Sequence, residues 1–151
     1  LIKLILKELE PLAGEITLGI DKFAYLDQGV AILRKDKILV ENLKHISGLD
    51  DNLARRWLAR FLFRGEDVFK KVDMLSGGER IRAALACILA GDKPLQLLVL
   101  DEPTNNLDLN SIEQIESALL NYQGALIVIS HDKNFLKNIG TREEITLPLN
   151  H

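Results

Sequence analysis

Apolar positions along this chain keep helical spacing in some stretches and run unbroken in others. Leu1 to Leu9 has apolar residues at helical spacing, stopped by Pro11, with residues 11–15 (PLAGE) as a turn. Two segments rich in β-branched and aromatic residues, 15–20 (EITLGI) and 22–28 (KFAYLDQ), read as extended. From about Val30 to Lys71 the pattern is amphipathic helix. One helix is predicted over 35–46 and another over 51–63, the latter with Leu53, Trp57 and Phe61 on one face. A third helix opens at LSGGER and is predicted to run to Gly91 as its C-cap. Beyond it the chain alternates: strand 95–101, helix 111–122, strand 125–130, helix 132–139 and a closing strand from Glu143 (EEITLPL). Residues 97–100 (LLVL) and 126–129 (LIVI) are uniformly apolar, as strands covered on both faces must be. Strand and helix in alternation predict an α/β fold on a parallel sheet with right-handed crossovers. The helical stretch reads as an insertion into that core.

Composition sets limits on this picture. A chain of 151 residues is the size of one domain, and 47% hydrophobic with 27% charged residues suits a soluble globular one. The net charge of −3 supplies no general attraction to nucleic acid or membrane, so any such contact has to be local. Cys87 is the one cysteine and lies in an apolar helix, which predicts a packed, unreactive thiol and suits a cytoplasmic location. No apolar run approaches the ~20 residues of a membrane span, and no cleavable signal is visible. The chain opens on LIKLILKEL without an initiator methionine, which reads as a fragment beginning inside a helix.

The stretch LSGGERIR, residues 75–82, places two glycines at the first turn of a helix. A capping box between Ser76 and Glu79 accounts for those two residues. It leaves Gly77 and Gly78 unexplained, each costing about 1 kcal/mol relative to alanine in a helix. Glycine there also admits close approach to the backbone, and free amides at a helix start attract anions. Cap and anion site both stand on this stretch alone. Two strands end in a second set of candidates: residues 97–100 run into Asp101 and Glu102, and residues 126–129 into Ser130, His131 and Asp132. In open α/β sheets ligands bind beyond the carboxyl ends of the strands. A carboxylate there can hold Mg²⁺ through water, a second can orient and deprotonate an attacking water, and a histidine can donate to a phosphate oxygen. The plain alternatives are helix caps for the acids and a structural role for the histidine.

LSGGER, then LLVLDEPTNNLD, then IVISHD, with YLDQ at 25–28 upstream, resembles the nucleotide-binding domain of ABC-type ATPases, in that family's order and over essentially the whole chain. The resemblance implies a partial P-loop NTPase fold: a core of residues 1–29 and 92–151 and a helical subdomain of about 30–91 with the signature motif. It implies a head-to-tail nucleotide sandwich with a second ABC domain. Leu75, Ser76, Gly77, Gly78 and Glu79 would then face the ATP of the opposing domain, with Ser76 and Gly78 at its γ-phosphate. Asp101 would be the Mg²⁺-associated carboxylate, Glu102 the catalytic base, and Gln28 the sensor of Mg²⁺ and water. His131 would touch the γ-phosphate, and Asp108 would lie in the loop that contacts the opposing domain. The P-loop G-x-x-x-x-G-K-[ST] does not occur, since no Gly-Lys pair exists in these residues. The family would place that loop just before Leu1, and its absence predicts that this chain alone is inactive.

Asn105-Asn106-Leu107-Asp108 after Pro-Thr looks like the ABC-F class, whose members carry no membrane domain and act on ribosomes. The expectation is therefore an ATPase domain coupled to the translation machinery. The alternatives are the ATPase subunit of a membrane transporter and a non-catalytic interaction module. Chromosome-maintenance ATPases share LSGGE but rank below these because they usually lack the Pro-Thr after Asp-Glu. Arg56, Arg60 and Arg64 form an i, i+4, i+8 stripe opposite the apolar face of their predicted helix. Two readings apply to it: phosphate contacts to RNA, or a solvated face paired with nearby acids, which is the preferred one.

Overall fold

The computed structural model describes residues 2–6, 8–91 and 94–145. Its centre is a parallel three-stranded sheet in the order β1 (Phe23–Leu26), β2 (Leu97–Asp101), β3 (Ala125–Ile129). β2 is hydrogen-bonded on both sides, with Leu97 to Leu100 opposite Phe23 to Leu26 and Leu97 to Asp101 opposite Ala125 to Ile129. Residues 97–100 are all buried, as their unbroken apolar run predicts. The same prediction is only half met by β3, an edge strand among the described residues: Ala125 is exposed and the rest half-buried.

The helices are α1 (Ile2–Ile5), α2 (Leu39–Ser47), α3 (Asp51–Arg60), α4 (Gly77–Leu89), α5 (Leu109–Leu120) and α6 (Lys133–Asn138). α4 is the hub, packing against α2, α3 and α5. Residues 83–88 of α4 are all buried, including Cys87 at 1% exposure, whose thiol burial pushes up to about 12. Small side chains at Ala83, Ala84 and Ala86 let neighbours approach on several sides, so the helix is apolar nearly all round. Asp50, Asp108 and Asp132 cap α3, α5 and α6, each accepting a backbone N–H three residues on.

Several elements differ from the sequence expectation. Residues 15–20 form no strand, and among the described residues the first helix spans Ile2–Ile5. α2 starts at Leu39 because residues 34–38 turn around the buried Asn42. The Asn42 side chain accepts from the Arg34 N–H and donates to the carbonyls of Arg34, Lys37 and Ile38, replacing bonds a helix there would have made. α3 stops at Arg60, and Leu62 takes a left-handed φ of 67° that turns the chain back to bury Phe63. Its buried residues are Ala54 and Leu58, whereas Leu53 is exposed and Trp57 and Phe61 are half-buried. Arg64 consequently lies outside the helix. α4 ends at Leu89 with Ala90 as its cap, one residue before Gly91. Of the expected closing strand, residues 143–145 are not extended pairs, and the remainder lies outside the described residues.

Candidate active site

The carboxyl edge of the sheet gathers four of the candidates. Asp101 is the last residue of β2, and its Oδ2 accepts a 2.9 Å hydrogen bond from the Tyr25 hydroxyl on β1. Burial and this bond push the Tyr25 hydroxyl up to about 12, so it stays a donor at neutral pH and fixes one face of the carboxylate. Glu102 follows with φ 48°, a left-handed backbone costly for a residue with a Cβ. Its N–H donates to the Ile129 carbonyl at 2.8 Å, extending the ladder with β3 by one bond while the chain turns away. The Glu102 side chain is only 10% exposed and its Oε1 lies 3.3 Å from Nε2 of the fully exposed His131. Gln28, Asp101 and Glu102 line one cavity of about 150 Å³, together with Asn105 and Asn106.

That donor set is all oxygen and amide, which fits a hard cation such as Mg²⁺ better than a soft metal. Among the described residues no group of three or more His, Cys, Asp or Glu forms a metal cage. A cation at Asp101 would therefore be held partly by water and by the oxygens of its own anionic ligand, the ordinary state of Mg²⁺ carried with phosphates. Glu102, low in exposure and beside an imidazole, is placed to accept a proton from a water in the cavity.

The LSGGER segment is a separate patch, and none of residues 75–79 lines that cavity. Leu75 is buried and anchors it, while Ser76 and Gly77 are exposed at the start of α4. Both capping-box bonds form: the Ser76 N–H donates to Glu79 Oε2 at 2.8 Å, and the Glu79 N–H to Ser76 Oγ at 3.3 Å. Gly78 is buried, and a Cβ on it would land on the Oγ and Cβ of Ser111. A Cβ on Gly77 would meet only a Leu107 methyl, at 3.3 Å. The two glycines thus have different local reasons. Gly78 admits the first turn of α5, and Gly77 keeps the outward surface bare.

Ser111 connects this patch to Asp108. Its N–H and hydroxyl each donate to the exposed Asp108 carboxylate at 2.9 Å. The backbone bond from Ser111, then its hydroxyl, hold the Asp108 carboxyl below the usual range. Sequence reasoning missed Ser111 and Tyr25. The Asp-x-x-Ser spacing at a helix start was a visible cap signal for the first. For Tyr25 no local signal exists, because its partner Asp101 is 76 positions away.

Residues 1–105 match the family described as ABC transporter. Among relatives, an ATP-binding protein Uup-like of Haemophilus influenzae is 41% identical over 93% of this chain and 31% of its own length. ATP-binding protein Uup of Escherichia coli is 38% identical over 93% of this chain and 23% of its own. The chain thus spans less than a third of either relative. Among solved structures, a dimeric ATP-binding cassette in a post-hydrolysis state, bound to ADP and Pi, is 25% identical with a TM-score of 0.63, covering 78% of this chain and 56% of that one. A dimeric bacterial ABC transporter cassette gives 0.64 at 25% identity, with the same coverage. No helix among the described residues is long and apolar enough to cross a membrane.

Proposed function

This chain belongs to the ABC ATPase family and is most like its ABC-F class, and from that premise we propose that it is the catalytic-carboxylate and signature part of a domain that hydrolyses ATP. The observation that carries the proposal is the convergence of Gln28, Asp101 and Glu102 on one cavity, with His131 within 3.3 Å of Glu102. Asp101, oriented by Tyr25, would hold Mg²⁺ through water, and the charge of that ion would supply neutralisation of the phosphates. Glu102 takes the proton of the attacking water, Gln28 orients that water, and His131 donates to the γ-phosphate. The bare Ser76–Gly77 surface, with Leu75 and Glu79 holding it and Asp108 beside it, meets the ATP of a second ABC domain head-to-tail. In this division, residues 1–29 and 92–151 are core and about 30–91 the helical subdomain.

On its likeness to the ABC-F class, carried by the Asn105-Asn106-Leu107-Asp108 stretch, the whole protein is proposed to act in the cytoplasm on the ribosome. The transporter reading is kept as the second, on the likeness to a transporter cassette. The test is Glu102→Gln in the full-length protein. It should bind Mg-ATP normally and hydrolyse it about 10²–10⁴-fold more slowly. Hydrolysis near the parent rate would remove Glu102 as the base. Co-sedimentation of the trapped variant with ribosomes in ATP supports the translation role; trapping with no ribosome association favours the transporter.

A further inference from the structure

We infer that the groove beside α3 is a docking surface for an acidic amphipathic helix of a partner protein, a role independent of the proposed hydrolysis. The groove encloses about 940 Å³ between Trp57, Phe61 and Leu62 on one wall and Tyr122 and Ala118 on the other. It is built at the amino ends of β2 and β3, beside Gln96 and Ala125, whereas the candidate active site is at their carboxyl ends. A partner seated there would leave the nucleotide edge free.

The apolar content of this wall is left over from folding. α3 buries Ala54 and Leu58 and leaves Trp57 and Phe61 half-buried, with Leu62 46% exposed just past the helix end. Exposed apolar surface gathered in a concavity of this size marks a binding site more often than a bare surface.

Charge decides the kind of occupant. Arg60 and Arg82 line the groove, no aspartate or glutamate does among the described residues, and Arg56 lies one turn from Arg60 on the exposed face of α3. The preferred sequence reading paired the arginine stripe with nearby acids. The solvated face is observed and the pairing is not: Arg56, Arg60 and Arg64 are exposed and form no ion pair among the described residues, and the local acid Asp51 is taken by Arg55 at 2.6 Å. The polar matching of the wall is also incomplete, since Arg82 Nε and Gln114 Oε1 are buried without a hydrogen-bond partner.

A cationic rim over an apolar trough matches a helix with apolar anchors at i, i+3, i+4 and i+7 and acids alongside. Single-stranded nucleic acid is the weaker fit. The Arg60 guanidinium already covers the Trp57 ring at 4.6 Å, where a base would stack, and phosphate contacts alone would leave the trough wet.

Trp57 is the one tryptophan of the chain and so reports on its own groove. The 151-residue chain is titrated with a synthetic helical peptide of leucine anchors flanked by glutamate, and with the same residues in scrambled order. A saturable blue shift of Trp57 emission is expected with the first, and binding about tenfold or more weaker with the second. Arg56→Glu with Arg60→Glu should weaken it by a similar factor. Leu62→Asn tests the apolar wall while tolerating the left-handed backbone, and should weaken binding without altering the circular dichroism spectrum. Equal affinity for both peptides, no shift with either, stronger binding of oligouridylate, or Trp57 occlusion by self-association in sedimentation would each overturn the proposal.

Discussion

Gly78 is the residue whose role changes most between sequence and structure. In a helix, alanine is favoured over glycine by about 1 kcal/mol, so Gly78→Ala would stabilise an isolated α4. In the fold the new methyl overlaps Ser111, and overpacking of this kind costs about 1–3 kcal/mol. Gly78→Ala should therefore lower the urea midpoint, and Ser111→Gly added to it should recover part of the loss. Gly77→Ala, meeting only a leucine methyl, should be nearly neutral. This separates stability from function in the signature patch. Ser76→Arg and Gly77→Asp place bulk or charge on the exposed surface, and in the full-length protein should block ATP-driven closure while nucleotide binding survives. Loss of nucleotide binding with closure intact would reverse the head-to-tail assignment. Gly78→Asp cannot make that distinction, because it also strains the α4–α5 contact.

At the scale of elements, the helical subdomain is held by polar bonds as well as by its apolar core. Asn42 is 1% exposed and bonds to four backbone groups of the turn ahead of α2. Asn42→Leu would be sterically tolerable yet leave those groups without partners, at about 1–3 kcal/mol for each one kept from water. The expected outcome is a lower urea midpoint, with amide exchange accelerated first over residues 34–38. Unchanged exchange there would show that water takes over the bonds. α4 carries the alkaline sensitivity of the fold. The folded chain keeps the Cys87 proton until about pH 12, whereas an unfolded thiol releases it near pH 8.5. The native state then binds more protons, so stability is complete below that range and falls as pH rises from about 9 toward 12. Tyr25, also raised to about 12, adds to the same decline from about pH 10. Unfolding at pH 7.5 and 10.5 should show the drop, and Cys87→Ala should flatten it.

For the whole molecule, the decisive fact is how the proposed chemistry is distributed. Gln28, Asp101 and Glu102 share one cavity, while residues 75–79 face elsewhere, so no single closed site contains both. Two patches that do not converge within one chain are what a sandwich with a second domain requires. The P-loop lysine and its amides have no counterpart in these 151 residues, and charge-assisted bonds to phosphate are worth about 1.5–3 kcal/mol each. Calorimetry on this chain should accordingly detect no micromolar Mg-ATP binding. Such binding would mean that the carboxyl edge holds nucleotide by contacts other than those proposed.

The elements were legible wherever local chemistry and tertiary packing agree. The LLVL run, the Ser76–Glu79 box and the strand–helix alternation predicted β2, the start of α4 and the parallel sheet, because burial on both faces and a cap act over a few residues and a helix between two strands leaves only a parallel crossover. The strand-end placement of Asp101, Glu102 and His131 was legible for the same reason. What remained hidden depends on partners distant in sequence. Tyr25 reaches Asp101, Ser111 fills the space Gly78 leaves, and α3 turns Ala54 and Leu58 inward although Leu53, Trp57 and Phe61 share the same helical period. Periodicity defines a face but not which face is covered. That choice belonged to the neighbours α2 and α4, whose packing against a small Ala54 brings the backbones close and leaves the larger side chains at the groove.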